Sequence, residues 1–358
     1  MTIVAEPGLK VVGTAENGEV AVKQIHHLKP DVVVLDIEMP VKNGLEALSI
    51  IRGIWPKLPV IMCSTLTEHG ASATLDALAL GASDYVAKPS GSGRLTDATA
   101  TLRAELVPKI RALGAKSKSP SGLANRPTSE VKSPTPNTAA RTLATRPALV
   151  DIVAIGVSTG GPNALETVVS GLPGDLPVPV VIVQHMPPMF TALLADRLDR
   201  ASELSVSEAS VDSPLKPGNV YIAPGDFHLT VRQRGPEVWT ETTKGPPENS
   251  CRPAVDVLFR SVADVFGART LAVILTGMGQ DGLQGARQIA ALGGQVMAQD
   301  EATSVVWGMP GAIVAAGLAD TCLPLTQVAA EVERRVAAAR PPRRPSVATG
   351  APRSSIDQ

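Results

Sequence analysis

Cysteine and net charge are both scarce in this sequence. Its 358 residues include three cysteines, and its formal net charge at pH 7 is -1. Cys63, Cys251 and Cys322 lie far apart and lack the paired spacing with histidine that zinc sites and disulfide frameworks show. We expect Cys63 and Cys322 to be small buried side chains. The balanced charge argues against nucleic acid as an obligatory partner.

Long apolar runs are missing as well. No uncharged apolar run reaches the roughly 20 residues that a membrane-spanning helix needs. The first residues, MTIVAEPGLKVVGTA, contain neither the basic segment nor the long apolar core of a signal peptide. We therefore expect a cytoplasmic protein that is not inserted in a membrane. Hydrophobic residues still make up 44% of the chain, which is enough for globular domains with real cores.

Composition divides the chain into two compact segments, a linker and a tail. Residues 113–147 are rich in Ser, Pro, Thr, Ala and Lys without apolar periodicity, which is typical of a flexible linker. Residues 338–358 have the same character and predict a disordered tail. Residues 1–112 and 148–337 remain as two domains, the number expected at about 150 residues per domain.

Both segments alternate short β-branched runs with amphipathic helical patterns. This alternation predicts α/β domains, each a doubly wound, mostly parallel sheet covered on both faces. The expected strands of the first domain are LKVVGTA, DVVVLDI, PVIMCST and DYVAKP, followed by a helix from about Thr96 to Leu113. Those of the second are IVAIGVS, PVPVVIVQHM, TLAVILTGM, GQVMAQD and GAIVAAG, with a β-hairpin around residues 218–240. Four helices are expected in this domain. The first starts at about Asn163, and the others run from about Met189 to Leu198, Ala254 to Phe266 and Gly282 to Leu292.

Three reactive side chains end successive strands of the first domain. Asp36 follows VVVL, Ser64 follows VIMC and Lys88 follows DYVA. The carboxyl ends of parallel strands lie side by side, so these groups should share one crevice. A carboxylate, a hydroxyl and an ammonium suit a phosphoryl acceptor, because the carboxylate attacks and the other two hold the new phosphate oxygens.

On these residues the first domain resembles the receiver domain of two-component response regulators. The stretches PDVVVLDIEMPVKNGLEAL and ALGASDYVAKPS carry the resemblance, which covers about residues 5–112. It implies a flavodoxin-like fold in which Asp36 is the phosphoacceptor, Ser64 the switch hydroxyl and Lys88 the lysine that contacts the phosphate.

The sequence departs from the receiver pattern at its start. Receivers open with a strand whose acidic pair holds Mg²⁺, whereas this chain begins about 25 to 30 residues later, at what resembles the end of the first helix. Without that acidic pair, Asp36 and Glu38 are the only expected residues of the magnesium site that this sequence contains. We expect a misplaced start codon or a truncated chain, because the missing strand is central in the sheet. A chain of this length should have a poorly folded receiver that cannot bind Mg²⁺.

The stretch IVAIGVSTGGPNALE opens the second domain and allows two interpretations. An apolar strand, a glycine-rich turn and a helix start suit either a phosphate cradle or the seat of a nucleophile. Residues 156–160, GVSTG, match the G-x-S-x-G elbow of serine hydrolases, and the glycines do not fit the phosphate-binding patterns. On this stretch alone, a catalytically inert turn stays open.

Two further strand ends support the nucleophile. Ser158 follows IVAIGV, His185 follows PVVIVQ and Asp281 lies just past LAVILTGMGQ. These residue types suit acyl transfer, since an imidazole takes the serine proton and a carboxylate orients that imidazole. His228, on the expected hairpin, is interpreted as a surface or structural residue. The order Ser, His, Asp differs from that of α/β-hydrolases, so hydrolase chemistry is predicted without that fold.

The oxyanion of such a reaction needs backbone donors. The candidates are the N–H groups that open the helix after Ser158 and those of TGMGQDG, where Gly277 and Gly279 allow close backbone approach. Simple tight turns explain these glycines equally well at this point.

The second domain resembles the catalytic domain of the CheB family of chemotaxis protein-glutamate methylesterases. Six motifs carry the resemblance in order over about residues 150–330: GVSTGGPNAL, QHMP, YIAPGD, PAVDVLF, TGMGQDG and AQDEATSVVWGMP. The resemblance implies a Rossmann-like domain with the triad Ser158, His185 and Asp281. It also implies that Thr159 lies beside the histidine and that the Met278 N–H helps to form the oxyanion site.

The same resemblance implies substrates, partners and regulation. The substrates are γ-glutamyl methyl esters on the cytoplasmic helices of chemoreceptors, hydrolysed to glutamate and methanol without a cofactor, and certain glutamines, which are deamidated. The receiver covers the active site until a chemotaxis histidine kinase phosphorylates Asp36. The chain departs from the family at NSCRPAVD, where His-Arg-Pro-Ser is more usual, and at GMPGA, where an arginine commonly follows the proline.

Two alternatives stay open on sequence. In the first, the second domain is a non-enzymatic regulator that binds a nucleotide or a protein through the Gly-rich loop. In the second, the same enzyme serves a chemosensory system that does not control motility. The lack of a ribose-binding pattern counts against the first alternative.

Overall fold

The computed structural model describes residues 6–88, 95–118, 149–338 and 340. Most of the predicted linker and tail lies outside the described residues. The strands are β1 (Val33–Asp36), β2 (Val60–Thr65), β3 (Asp84–Lys88), β4 (Ile152–Val157), β5 (Val180–Gln184), β6 (Ser205–Glu208), β7 (Asn219–Ile222), β8 (His228–Arg234), β9 (Glu237–Thr243), β10 (Thr270–Ile274), β11 (Gln295–Gln299) and β12 (Thr321–Leu323).

Helices connect most of these strands. They are α1 (Gly18–Leu28), α2 (Gly44–Ile54), α3 (Glu68–Ala79), α4 (Leu95–Lys118), α5 (Gly161–Ser170), α6 (Phe190–Ala201), α7 (Val255–Phe266), α8 (Leu283–Ala291), α9 (Met309–Ala315) and α10 (Leu325–Ala337). The α/β architecture of two mostly parallel domains is confirmed.

The first domain has a three-stranded parallel sheet in the order β1-β2-β3. Its helices begin at polar side chains that accept hydrogen bonds from the first turn. Asn17 accepts from the Val20 N–H at 3.0 Å, and Asn43 forms a capping box with Glu46. These caps fix the starts of α1 and α2, and the apolar face of each helix then packs on the sheet.

Residues 9–15 do not form the strand that their β-branched composition predicts. They are irregular, and Val11 and Val12 are 36% and 45% exposed. A strand needs a neighbour to pair its N–H and C=O groups, and no described strand pairs with this segment. Composition alone therefore gave a wrong prediction here.

The second domain has a seven-stranded sheet in the order β12-β11-β10-β4-β5-β7-β6. Its pairs are parallel, and β4, β5 and β10 at its centre are buried along their whole length. Continuous apolar strands with helices on both faces explain this burial. The carboxyl ends of these three strands lie at the same edge of the sheet, which is where the predicted catalytic residues follow them.

The segment GAIVAAG is a helix rather than the predicted strand. Helix α9 begins at Met309 with Pro310 in its first turn, and Gly317 follows its end with a φ of 67°. Proline at the start and glycine just past the end are the usual boundaries of a helix. The last strand of the sheet is β12 instead.

The polar stretch before α7 also differs from its prediction. The antiparallel hairpin is formed by β8 and β9, whereas β7 belongs to the main sheet. Strand β6 was not predicted, because its alternating burial gives a weak signal typical of a sheet edge.

The prediction that Cys322 is buried is wrong. It is exposed because β12 is an edge strand, and Cys63 is partly exposed at the end of β2. Within the described part of the chain, no helix is both long and apolar enough to cross a membrane.

The two domains pack against each other through β3 and α3 of the first and α5 and α6 of the second. The ring of Tyr85 stacks on the ring of Phe190, with centroids 5.1 Å apart and planes 9° from parallel. Asn163 donates to the Leu78 carbonyl at 2.7 Å. The buried side chains of both domains form one continuous cluster across this contact.

Candidate active site

The turn after β4 holds Ser158 between the sheet and the start of α5. Its N–H donates to the Thr276 carbonyl at 3.0 Å, and its carbonyl accepts from the Gly161 N–H at 2.7 Å. Gly160 has a φ of 77°, which favours glycine. A Cβ on Gly161 would lie 1.8 Å from Oε1 of Gln184. These glycines therefore let protein groups pack closely, which is not what a nucleotide cradle requires.

His185 follows β5 next to this turn. Val157 pairs with Gln184 across the sheet, so the residues that follow them, Ser158 and His185, are neighbours. The Nε2 atom of His185 lies 2.8 Å from Oδ2 of Asp281. Its Nδ1 atom lies 3.6 Å from Sγ of Cys251. Because Asp281 occupies Nε2, Nδ1 is the ring nitrogen left to act as a base.

Asp281 is fixed by donors on all sides. Its Oδ1 atom accepts hydrogen bonds from the Asn249 side chain at 2.8 Å, the Asp256 N–H at 3.0 Å and the Gly282 N–H at 2.9 Å. Its Oδ2 atom accepts from the Val255 N–H at 2.6 Å. Two of these donors are the first N–H groups of α7, which lack partners within the helix. The carboxylate thus caps α7, and the helix N-terminus stabilises its negative charge.

Hydrogen bonds set the charges of the buried pair. Burial raises the pKa of Asp281, but hydrogen bonds from His185 and from the backbone of Val255 and Asp256 outweigh it, so the pKa lies below its ordinary value. Burial lowers the pKa of His185, yet the hydrogen bonds with Asp281 and Cys251 outweigh it and raise the pKa to about 9. In this arrangement, at neutral pH, the carboxylate of Asp281 is ionised and the ring of His185 is the positively charged imidazolium.

Some of the predicted oxyanion donors are already used in backbone hydrogen bonds, and others are not. The N–H groups of Ser158, Gly161 and Gly277 already donate to backbone carbonyls of Thr276, Ser158 and Val306. The Met278 N–H has no such partner within the described residues. The N–H groups of Thr159, Gly160 and Gly279 likewise have no such partner within the described residues, so both predicted groups keep donors available.

Thr159 lies at the contact with the first domain. Its hydroxyl donates to Oδ2 of Asp84 at 2.9 Å, and its carbonyl accepts from the Thr276 hydroxyl at 2.9 Å. The described hydrogen bonds of Thr159 do not include His185, beside which the sequence placed it. The receiver thus reaches the residue directly after Ser158.

Two residues of this site were missed by the sequence predictions. Asn249 and Cys251 belong to the turn Glu248–Cys251, which brings them against Asp281 and His185. The only sequence signal was the departure NSCRP from the family pattern. His228 has both ring nitrogens bound, by the Pro246 carbonyl at 3.0 Å and the Ala254 N–H at 3.2 Å, which agrees with a structural role.

In the first domain, Asp36 and Lys88 lie together but Ser64 is turned away. The Lys88 Nζ atom is 2.5 Å from Oδ2 of Asp36. The buried Ser64 hydroxyl donates to the Gly70 carbonyl at 2.8 Å. Cys63 lies beside Asp36, and burial raises the pKa of its thiol to about 11.

Asp36 and Glu38 do not by themselves fit a magnesium site. Mg²⁺ prefers an octahedral set of oxygen ligands, whereas one Asp36 oxygen pairs with Lys88 and the other accepts from the Glu38 backbone at 3.3 Å. Among the residues that the structure describes, no group of three or more His, Cys, Asp or Glu side chains is placed so that it could hold a metal ion.

The fold and the site define the class of protein. A receiver-type sheet is joined to a parallel α/β domain whose strand ends carry a serine, a histidine and an aspartate. Comparison with known sequences agrees, since residues 153–332 match the CheB methylesterase family and residues 1–100 match the response regulator receiver domain. The chain belongs to the CheB methylesterase family.

Relatives match along most of the chain. A protein-glutamate methylesterase/protein-glutamine glutaminase of Nocardioides sp. is 49% identical over 342 residues, covering 94% of this chain and 91% of its own. One from Trichodesmium erythraeum is 47% identical over 328 residues, covering 92% of both chains. The crystal structure of the Thermotoga maritima CheB methylesterase catalytic domain is 46% identical, with a TM-score of 0.51, and covers 52% of this chain and 98% of that one.

Proposed function

We propose that this chain hydrolyses glutamate γ-methyl esters on chemoreceptors, and deamidates certain glutamines there, during chemotactic adaptation. The observation that carries the proposal is the array of Ser158, His185 and Asp281 at the ends of β4, β5 and β10, with His185 bound to Asp281 at 2.8 Å. The names of the relatives support the two activities. Chemoreceptors and a histidine kinase are the proposed partners.

Acylation begins at the Ser158 hydroxyl. Its oxygen attacks the γ-carbonyl carbon of the ester while Nδ1 of a neutral His185 takes its proton. The tetrahedral oxyanion accepts a hydrogen bond from the Met278 N–H, which has no backbone partner of its own within the described residues. The C–O bond to the methoxy group then breaks, and His185 returns the proton so that methanol leaves.

Deacylation repeats these steps with water. His185 takes a proton from water, the hydroxide adds to the acyl carbon, and the Ser158 oxygen leaves with the proton from His185. The product is a glutamate side chain. A glutamine side chain follows the same course with ammonia as the leaving group. Asp281 holds the ring through Nε2 and stabilises its cation in both halves of the reaction.

The receiver regulates access to this site. Asp84 binds the Thr159 hydroxyl at 2.9 Å, one residue from the nucleophile, and Tyr85 covers Phe190. We infer that these contacts keep a large receptor helix away from Ser158. Phosphorylation of Asp36 adds nearly two negative charges beside Lys88, at the opposite end of the strand that begins with Asp84 and Tyr85. We infer that this change loosens the contact and opens the site.

Two measurements test the proposed function. Purified receptors with radiolabelled methyl esters, incubated with the full chain, should release labelled methanol and leave glutamate in the receptor peptides. A fragment of residues 148–340 should release methanol faster than the full chain, because the receiver is gone. If neither protein releases methanol, the proposed esterase activity is rejected. If both release it at equal rates, inhibition by the receiver is rejected.

The alternative, a non-enzymatic module that binds a nucleotide through the Gly-rich loop, gains no support. Side chains of Val305 and Gln184 occupy the space beside Gly160 and Gly161. A phosphate would need that same space close to the backbone.

A further inference from the structure

A tight turn delivers Cys251 to the catalytic histidine. Glu248 and Cys251 exchange backbone hydrogen bonds of 3.0 and 2.9 Å. Between them, Asn249 and Ser250 have φ values of 52° and 63°. Two central residues in the left-handed region are typical of a type I′ turn, which holds its ends in a fixed relation. The position of Cys251 is therefore set by its backbone.

Asn249 anchors this turn to the carboxylate of the site. Its Nδ2 atom donates to Oδ1 of Asp281 at 2.8 Å and to Oδ2 of Asp256 at 3.0 Å. The same carboxylate of Asp281 binds His185 through its other oxygen. The turn and the imidazole are thus positioned by one group, and the Cys251 Sγ atom reaches Nδ1 of His185 at 3.6 Å as a result.

The thiol meets the one ring nitrogen that catalysis needs. Nε2 is committed to Asp281, so Nδ1 must take the proton of Ser158. We propose that Cys251 is a positioning residue that occupies Nδ1 of His185 and competes with Ser158 for that nitrogen. This inference rests on the proposed function of the site. Substrate binding must displace the thiol from Nδ1 before the serine proton can transfer.

Charges around His185 support this competition. Asp281 and Cys251 face the ring directly, and their hydrogen bonds raise the pKa of His185 to about 9 against the effect of burial. Glu248, Asp256 and Arg260 are the further charged groups near Asp281. Arg260 pairs with Glu248 through contacts of 2.7 and 2.6 Å. Since a general base must be neutral, a ring that stays protonated at neutral pH is mostly inactive. Removal of the thiol should therefore make more of the base available.

The test is the pH profile of methanol release by the full chain and by Cys251→Ala and Cys251→Ser. In Cys251→Ala, which removes the contact, we expect the midpoint of the rise in kcat/KM to move to lower pH, whereas Cys251→Ser keeps a hydrogen-bonding hydroxyl beside Nδ1 and should move it less. Activity at pH 7 should then increase about tenfold for each unit of the shift. Cys322→Ala is the matched control, because that thiol is exposed on β12, and it should keep the profile of the unchanged chain. A profile of Cys251→Ala that superimposes on that of the unchanged chain, or that is lower with the same midpoint, would overturn the proposal.

A second measurement does not depend on hydrolysis. The chain has five histidines, so ring-labelled histidine gives a countable set of NMR resonances, and His185→Gln identifies the one from His185. Its titration midpoint should fall in Cys251→Ala. If it falls although the unchanged chain hydrolyses no ester, the proposed function fails and the positioning contact stands. If the chain is an active esterase and the midpoint stays, the inference about Cys251 is overturned.

Discussion

Asp281 illustrates at the residue scale how a protein keeps a buried carboxylate ionised. Besides His185, four donors point at its two oxygens, and three of them are backbone N–H groups. Backbone donors are fixed by the fold and cost no reorganisation during the reaction. The carboxylate is thereby held in the orientation that His185 requires.

Asp281→Asn should therefore remove catalysis more than stability. An amide cannot balance the imidazolium and favours the wrong ring tautomer, so kcat should fall by about 10⁴-fold. Because four donors lose their charged acceptor, the free energy of unfolding should also fall by about 1 to 3 kcal/mol. Methanol release and urea unfolding measure the two effects. Asp264→Asn is the control, because Asp264 is exposed on α7 and should leave both values unchanged.

The three cysteines should differ in what alkylation does. Iodoacetamide on Cys251 places a bulky group against Nδ1 of His185, so it should abolish methanol release. Cys322 is exposed but far from the site, and burial raises the pKa of Cys63 to about 11, which leaves little reactive thiolate. Cys251→Ala should resist inactivation, whereas Cys322→Ala should remain sensitive. Equal inactivation of the two variants would contradict the placement of Cys251.

At the scale of elements, the strand-to-helix turn depends on close packing. A Cβ on Gly161 would lie 1.8 Å from the Gln184 side chain, whereas one on Gly53 in α2 would meet nothing within 4 Å. The turn carries Ser158, so a displaced α5 also displaces the proposed nucleophile.

Gly161→Ala should lower the free energy of unfolding by about 1 to 3 kcal/mol, because overpacking forces neighbours apart. It should also lower kcat. Gly53→Ala should instead stabilise the chain by about 0.5 to 1 kcal/mol, since alanine is favoured in a helix. Urea unfolding of both variants compares the two positions, and equal effects would show that the contact at Gly161 is unimportant.

The same scale explains how much the sequence could predict. The central strands β4, β5 and β10 read as continuous apolar runs, and the residues that follow them are the proposed triad. Strand β6 and helix α9 were missed, because edge position and helix boundaries leave weak patterns. Asn249 and Cys251 join the site through a turn whose backbone angles no side-chain pattern announces. Contacts that arise from such turns need the structure.

At the scale of the whole molecule, the domain contact includes a polar clamp on α6. Arg197 donates to the Leu75 carbonyl at 3.1 Å and lies 3.7 Å from Asp76, both in the receiver. It also contacts Glu166 of its own domain at 3.3 Å. The guanidinium therefore ties α3 of the receiver to α5 and α6.

Arg197→Ala should weaken this contact and raise the basal rate of methanol release by the full chain. Arg200→Ala is the matched control, because Arg200 lies three residues further along α6 and donates to the Asp196 carbonyl of its own helix. It should leave the rate unchanged. In a fragment of residues 148–340, Arg197→Ala should have no effect on the rate. An equal rise for both variants in the full chain would contradict a specific role of Arg197 in the domain contact.

The most direct test of the central claim is methanol release from methylated receptors by Ser158→Ala. Ser170→Ala serves as the control, because Ser170 is exposed at the end of α5 and its hydroxyl donates to the Glu166 carbonyl. If Ser158 is the nucleophile, Ser158→Ala releases no methanol above the rate without protein, and Ser170→Ala keeps full activity. Methanol release by Ser158→Ala at the rate of the unchanged chain would contradict the account.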